Sequence, residues 1–379
     1  MKNKKIWIIS IISLIVVAII LAVLLTQKPI KKEEGAIKIG AILPLTGPAS
    51  DIGDWQKKGM EVASSLINEK GGINGRQVEI VFEDSKGQPK EGVSAFNKLT
   101  GINKIAAIFS SLSSVSNAII PFTKNTQCVL MLISVSFPEI TKKGEFIFRD
   151  HPGSEDEALE MGNFLFKKLG LRKVVALYCN DDFGIGSYNT FIKKFEEYGG
   201  KILWADAYDL TQTEFRNMSV KAKELNPEGI YVIGYVKATV LLIKQLREIG
   251  FNGYLSAPMA LSTQNFISLG GDSLDGIFFT NTVFDLNSND LKTKDFVERY
   301  RKLYNSDPTV FSGFAYDGMM VLLESIRRKG DGVEKIKEGL LELKRYDGVM
   351  GAIEITENRN FKFPLKIVKL DKGKIIPIE

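Results

Sequence analysis

One histidine, His151, and two cysteines, Cys128 and Cys179, are all the imidazole and thiol chemistry that this chain of 379 residues contains. That supply excludes a zinc cluster or a disulfide scaffold, because no Cys-x-x-Cys pair and no His spacing is present. No serine or cysteine elbow motif and no paired-acid motif accompanies His151, so it lacks the partners that nucleophilic or general acid–base catalysis needs. Both cysteines sit at the ends of apolar, strand-like runs far apart in sequence and read as buried free thiols. Charge of one sign is also scarce. Residues 1–34 hold six Lys against Glu33 and Glu34, a net +4 of the total +5, which leaves +1 for the body of the chain. A nearly neutral body lacks the basic face that nucleic acid requires.

Long hydrophobic runs are missing too, with one exception. Ile6 to Leu25 is apolar apart from Ser10 and Ser13, and about 20 residues suffice to span a hydrocarbon core of roughly 30 Å. Lys2, Lys4 and Lys5 precede the run, which places the N-terminus in the cytoplasm and everything after it outside. The expectation is an uncleaved membrane anchor; a cleaved signal peptide is the alternative, although no small-residue cleavage site stands before Thr26-Gln-Lys-Pro29. Localisation is therefore extracytoplasmic, anchored by this segment or secreted if it is removed.

What remains is ordinary globular sequence, 44% hydrophobic and 25% charged, long enough for two cores. Strand and helix patterns alternate: Ile37–Leu43 strand, Gly53–Asn68 helix, Val78–Phe82 strand, Pro89–Leu99 helix, Ile105–Phe109 strand, Ser116–Asn125 helix, Val129–Ile133 strand. After Arg149-Asp150-His151-Pro152 the alternation restarts, with strands at Lys173–Tyr178, Lys201–Asp206, Gly229–Ile233, Tyr254–Ser256 and Gly276–Thr280. The helices between them read as Glu155–Leu169, Tyr188–Tyr198, Glu214–Leu225 and Ala238–Ile249. Helices at Lys292–Tyr304 and Ser312–Arg327 follow, then strands at Ile353–Ile355 and Leu365–Leu370. Such an order predicts parallel sheets covered on both faces, an α/β fold. Ligands bind such sheets beyond the carboxyl ends of the strands, so the loops there are the ones to read for chemistry.

Two blocks are specific: Pro44-Leu-Thr-Gly-Pro48 after the first strand, and Lys70-Gly-Gly-Ile-Asn-Gly-Arg76 before the second. Together with Ser134-Val-Ser-Phe-Pro-Glu-Ile-Thr141, they resemble the Leu/Ile/Val-binding family of type I periplasmic binding proteins. The resemblance implies two Rossmann-like lobes joined by three hinge crossings, near Asp150, Asn281 and Met350. It divides the chain into an N-terminal segment 1–35, a first lobe of 36–150 plus 282–350, and a second lobe of 151–281 plus 351–379. It implies a solute-binding protein, not an enzyme, that closes on a small amino-acid-like or carboxylate or amide ligand and delivers it to the permease of an ABC importer. No cofactor is implied. The alternative is a ligand-sensing module that acts through a partner receptor.

Site residues follow from the same resemblance. Ser113 and Ser114, with Val135 (through its backbone) and Ser136, match the loops that hold a ligand's carboxylate. Ser flanks Leu112 on both sides, so the register of the first loop admits a shift of one. Read from the residues alone, Ser110–Ser114 is either an anion site at a helix start or a simple helix cap. Ile52 stands where relatives often carry an aromatic, and nearby Trp55 is either a pocket wall or core packing. Phe183 and Tyr235 match aromatics facing the solute; Tyr235 equally suits packing between the lobes. Met259 stands where the family's amino-acid binders have an acid for the ligand's ammonium. Either Asp182 or Asp285 takes over that role, or the ligand lacks an ammonium, as a small carboxylate, an aromatic acid or an amide would. His151, beside Pro152 at a crossing, reads as a packing residue at the hinge.

Overall fold

The computed structural model describes residues 35–259, 264–282 and 284–378; the apolar run Ile6–Leu25 lies outside them. Among the described residues no helix is long and apolar enough to cross a membrane. Everything from Ile37 onward forms one unit.

Its first sheet holds β1 (Ile37–Leu43), β2 (Val78–Asp84), β3 (Ala107–Ser111), β4 (Val129–Ile133) and β5 (Ile147–Asp150), all parallel, in the order β2-β1-β3-β4-β5. Both β3 and β4 are wholly buried, which accounts for their unbroken apolar runs. Helices α1 (Ser50–Glu69), α2 (Pro89–Asn97) and α3 (Ser113–Thr126) connect them. The block at Lys70 folds as expected of a tight reversal. Asn74 and Gly75 take φ of 53° and 83°, and Ile73 and Arg76 exchange backbone hydrogen bonds across them.

The second sheet contains β6 (Lys173–Cys179), β7 (Lys201–Tyr208), β8 (Gly229–Ile233), β9 (Tyr254–Ala257) and β10 (Phe278–Asn281), parallel in the order β10-β9-β8-β6-β7. Its helices are α4 (Ser154–Asn163), α5 (Asp182–Glu197), α6 (Arg216–Glu224), α7 (Val236–Glu248) and α8 (Gln264–Gly270). The chain then returns to the first lobe, where α9 (Leu291–Tyr304) and α10 (Val310–Lys329) pack on α1, and α11 (Val333–Glu342) packs on α10. A small antiparallel sheet, β11 (Arg345–Gly348), β12 (Gly351–Ile355) and β13 (Phe361–Lys362), lies against β5. Finally β14 (Lys366–Asp371) and β15 (Lys374–Pro377) extend the second sheet antiparallel beyond β10. The fold is thus two doubly wound α/β lobes with three passages between them.

Two local differences from the sequence reading matter for the site. Helix α5 begins at Asp182, not near Tyr188, because Asp181 caps it: its Oδ1 accepts the Gly184 N–H at 2.9 Å. The run Asp182-Phe-Gly184 is therefore a first turn, not a loop. Strand β5 was not expected at all, since its buried Arg149 and Asp150 interrupt the apolar pattern.

Candidate functional site

In each sheet the strand order reverses direction once, between β1 and β3 in the first and between β6 and β8 in the second. At such switch points the following loops turn to opposite faces and open a crevice at the carboxyl edge. One small cavity has both crevices as its walls. Ile52 comes from the segment after β1, Leu112 follows β3, and Ser134 and Ser136 follow β4. Phe183 follows β6 and Tyr235 follows β8; His151, Glu157 and Phe311 complete the lining. The volume is about 20 Å³, room for about one water. A larger surface depression of about 850 Å³ runs along Arg149, Glu155, Lys344, Glu354 and Lys362. It is open, and none of the switch-point loops lines it, so it offers no comparable site.

Of the residues singled out from sequence, the structure brings Ile52, Ser136, Phe183 and Tyr235 together at the cavity. Phe183 and Tyr235 lean on one another with ring centres 5.3 Å apart. The Tyr235 hydroxyl donates to Asp181 Oδ2 at 3.0 Å, which fixes the ring at the start of α7. Ser113, Ser114, Val135 and Met259 are not among the lining residues. Ser113 opens α3 directly after Leu112; its buried Oγ, like that of Ser111, has no hydrogen-bond partner among the described residues. Ser114 Oγ instead accepts the Asp182 N–H at 3.1 Å, and Asn117 donates to Asp182 Oδ2 at 3.0 Å, so α3 and α5 are latched across the lobes. Val135 is fully buried. Met259 is also fully buried, and its backbone N–H donates to Glu157 Oε2 at 2.8 Å.

Strain gathers at this edge. Leu112 and Ser134 both line the cavity with positive φ, 70° and 52°, a conformation costing on the order of 1–3 kcal/mol for a residue with a side chain. The Leu112 turn joins buried β3 directly to α3 and leaves the start of that helix without a side-chain cap. Gln56 reaches in from α1 and donates to Ser134 Oγ at 2.8 Å, while its own carbonyl oxygen is buried without a partner among the described residues. An uncapped helix start and unpartnered hydroxyls of this kind suit an anionic group.

His151 is among the residues lining the cavity, and its ring packs on Phe314 with centres 4.9 Å apart. The Pro152 carbonyl, 2.9 Å from Nδ1, can only accept, so Nδ1 carries the proton. Burial, with Arg149 nearby, pushes the ring down to about 3, so it is neutral at ordinary pH. Trp55 stays out of the lining and stacks at 5.8 Å on Phe311, which is in it. Neither substitute acid reaches the cavity: Asp182 is held in the latch, and exposed Asp285 accepts the Asn287 N–H at the surface. The acid that does reach it is Glu157, which the sequence reading passed over. Its signal was present, since Ser154, Glu157, Ala158 and Met161 form the buried i, i+3, i+4, i+7 stripe of α4. Cys128 and Cys179 are buried free thiols, and no metal-holding cluster occurs among the described residues.

A sequence profile described as "Periplasmic binding protein" matches residues 36–374. The chain belongs to that family. The binding protein is 28% identical over 347 residues to "Leu/Ile/Val-binding protein homolog 3" of Brucella melitensis, covering 90% of this chain and 94% of that one. Among solved structures, the leucine-binding protein of Thermotoga maritima superposes with a TM-score of 0.83 at 28% identity, over 91% of this chain and 98% of that one. A solute-binding protein of an ABC transporter from R. palustris, solved with benzoate, superposes with a TM-score of 0.82 at 20% identity, over 91% and 96% of the two chains. That last likeness is one of fold alone. The family's two-lobed architecture is the one described above, and its members work outside the cytoplasm as solute-binding proteins.

Proposed function

We propose that this family member captures a small amino-acid-like or carboxylate or amide solute between its lobes and presents it, closed, to the permease of an ABC importer. Residues 36–150 and 282–350 move against 151–281 and the C-terminal strands. One observation carries the reading: a single cavity is walled by the switch-point loops of both sheets. A site divided in this way binds fully only when the lobes meet, so occupancy and closure are one event. The uncapped start of α3 and the Ser136 hydroxyl hold the polar head. Phe183, Tyr235, Ile52 and Phe311 enclose the remainder. The names of the relatives support an amino-acid-like solute. The segment Ile6–Leu25 tethers the protein to the membrane beside its permease.

A thermal-shift screen of the full chain against amino acids, small carboxylates, amides and sugars tests the proposal. A true ligand at 100 times its Kd stabilises the folded state by about 2.7 kcal/mol, a shift of several degrees. Silence across all four classes would remove solute capture as the function.

A further inference from the structure

Asp150 ends β5, and the first passage to the second lobe begins at His151. The Asp150 side chain is fully buried, and neither carboxyl oxygen has a hydrogen-bond partner among the described residues. The fold makes room for it. Helix α10 carries Gly318 in its interior, where glycine is unfavourable, and a Cβ there would overlap the Asp150 carboxyl. Gly348 gives the same room to Asp317, which is also fully buried and accepts the Val349 and Met350 N–H groups.

The charged and titratable groups around the pair leave Asp150 uncompensated. The Arg149 guanidinium donates to the Phe137 carbonyl at 3.1 Å and lies 3.5 Å from Glu155. The His151 ring is neutral, and burial keeps Tyr316 and Tyr346 in their phenol form. Exposed Lys292 donates to the carbonyl of exposed Asp347 and acts on Asp317. The charge that acts on Asp150 is that of Asp317, and together with burial it pushes Asp150 well above the usual carboxyl range. A carboxyl so placed keeps its proton as long as its surroundings stay dry.

Those surroundings include the segments that join the lobes. The His151 ring packs on Phe314 at 4.9 Å, and Phe314 packs on Phe363 at 4.8 Å. His151 belongs to the first passage, and Phe363 lies between β13 and β14, in the third. Phe314 stands one turn before Gly318 on the same face of α10. The stack therefore ties both passages together beside the buried pair.

Resting on the closing motion described above, we propose that Asp150 is a proton switch in the hinge. Carrying its proton, it holds the passages and the lobes in the closed arrangement. As pH rises its carboxylate draws in water past the loosened stack, the lobes part and the solute leaves. The closed form binds the proton more tightly than the open one. Closure therefore takes up a proton, and solute affinity falls as pH rises.

Small-angle scattering of the full chain without solute, at pH 5 and pH 8, tests the switch. The radius of gyration should rise with pH, and rise clearly less in Asp150→Asn. Calorimetric titration with leucine reads the same coupling as affinity. The natural protein and the variant should agree at pH 5, and at pH 8 the variant should bind leucine at least about tenfold more tightly, the effect of one proton over one pH unit. Equal radii of the natural protein at the two pH values would overturn the proposal whether or not the variant folds. So would an equal rise in both proteins, or a ratio of their leucine affinities that is the same at both pH values. A radius that rises with pH in the natural protein alone, without binding of leucine, would sustain the switch and count against capture of that solute, so the two readings fail separately.

Discussion

Asp150 and Asp317 are fully buried side by side at a passage between the lobes, and they show how much one residue's protonation can matter. Asp317 accepts the Val349 and Met350 N–H groups at 2.9 and 2.8 Å, yet burial still pushes it up to about 7. Asp150 is pushed well upward by burial and then by Asp317, and neither of its oxygens has a partner among the described residues. Unfolded, both carboxyls would titrate near 4. Between about pH 4 and 7 the unfolded chain therefore holds fewer protons than the folded one, and stability falls as pH rises through that window. Asp150→Asn should raise the melting temperature at pH 7.5 and flatten its decline from pH 4 to 7, with little change at pH 4. A melting series across this range would expose the account as wrong if the two slopes coincided. Asp317→Asn should instead destabilise, since an amide cannot accept from both N–H groups. At this scale the sequence revealed Ile52, Ser136, Phe183 and Tyr235 as candidates through their places after strands. It concealed Glu157, because an acidic triplet in a helix reads as a solvated first turn until its apolar stripe is traced.

Among the elements, α1 and α10 cross with their backbones in close approach. A Cβ on Gly59 would stand 2.2 Å from the Ser312 carbonyl oxygen. Alanine in a helix interior ordinarily gains about 1 kcal/mol over glycine, whereas forcing two packed helices apart costs about 1–3 kcal/mol or more. The steric cost wins, so Gly59→Ala should lower stability in denaturant titration; a gain would mean that the helices are not in contact there. The latch between α3 and α5 makes a kinetic prediction. Removing it by Ser114→Ala with Asn117→Ala should speed solute release severalfold in stopped-flow while leaving the association rate nearly unchanged, because contacts formed on closure act on dissociation. An effect confined to association would contradict this. Element type and order were legible because buried parallel strands leave continuous apolar runs. Boundaries were less so where side-chain caps decide them, as Asp181 does for α5, and where buried charge interrupts a strand, as in β5.

For the whole molecule, two sheets that each reverse order once, set with their carboxyl edges toward one cavity, make closure the natural mode of binding. A volume of about 20 Å³ holds about one water, so a solute of amino-acid size enters only when the lobes part. The two-lobed plan was readable from strand–helix alternation together with the PLTGP and KGGINGR blocks. The side-chain set of the cavity was not, because it is assembled from segments as distant as Ile52 and Phe311. The most direct measurement is small-angle scattering of the full chain during titration with a solute whose binding calorimetry has established. The account predicts that the radius of gyration falls in step with occupancy and reaches a plateau at saturation. Saturation of the solute with no change in radius would contradict capture by closure of the lobes.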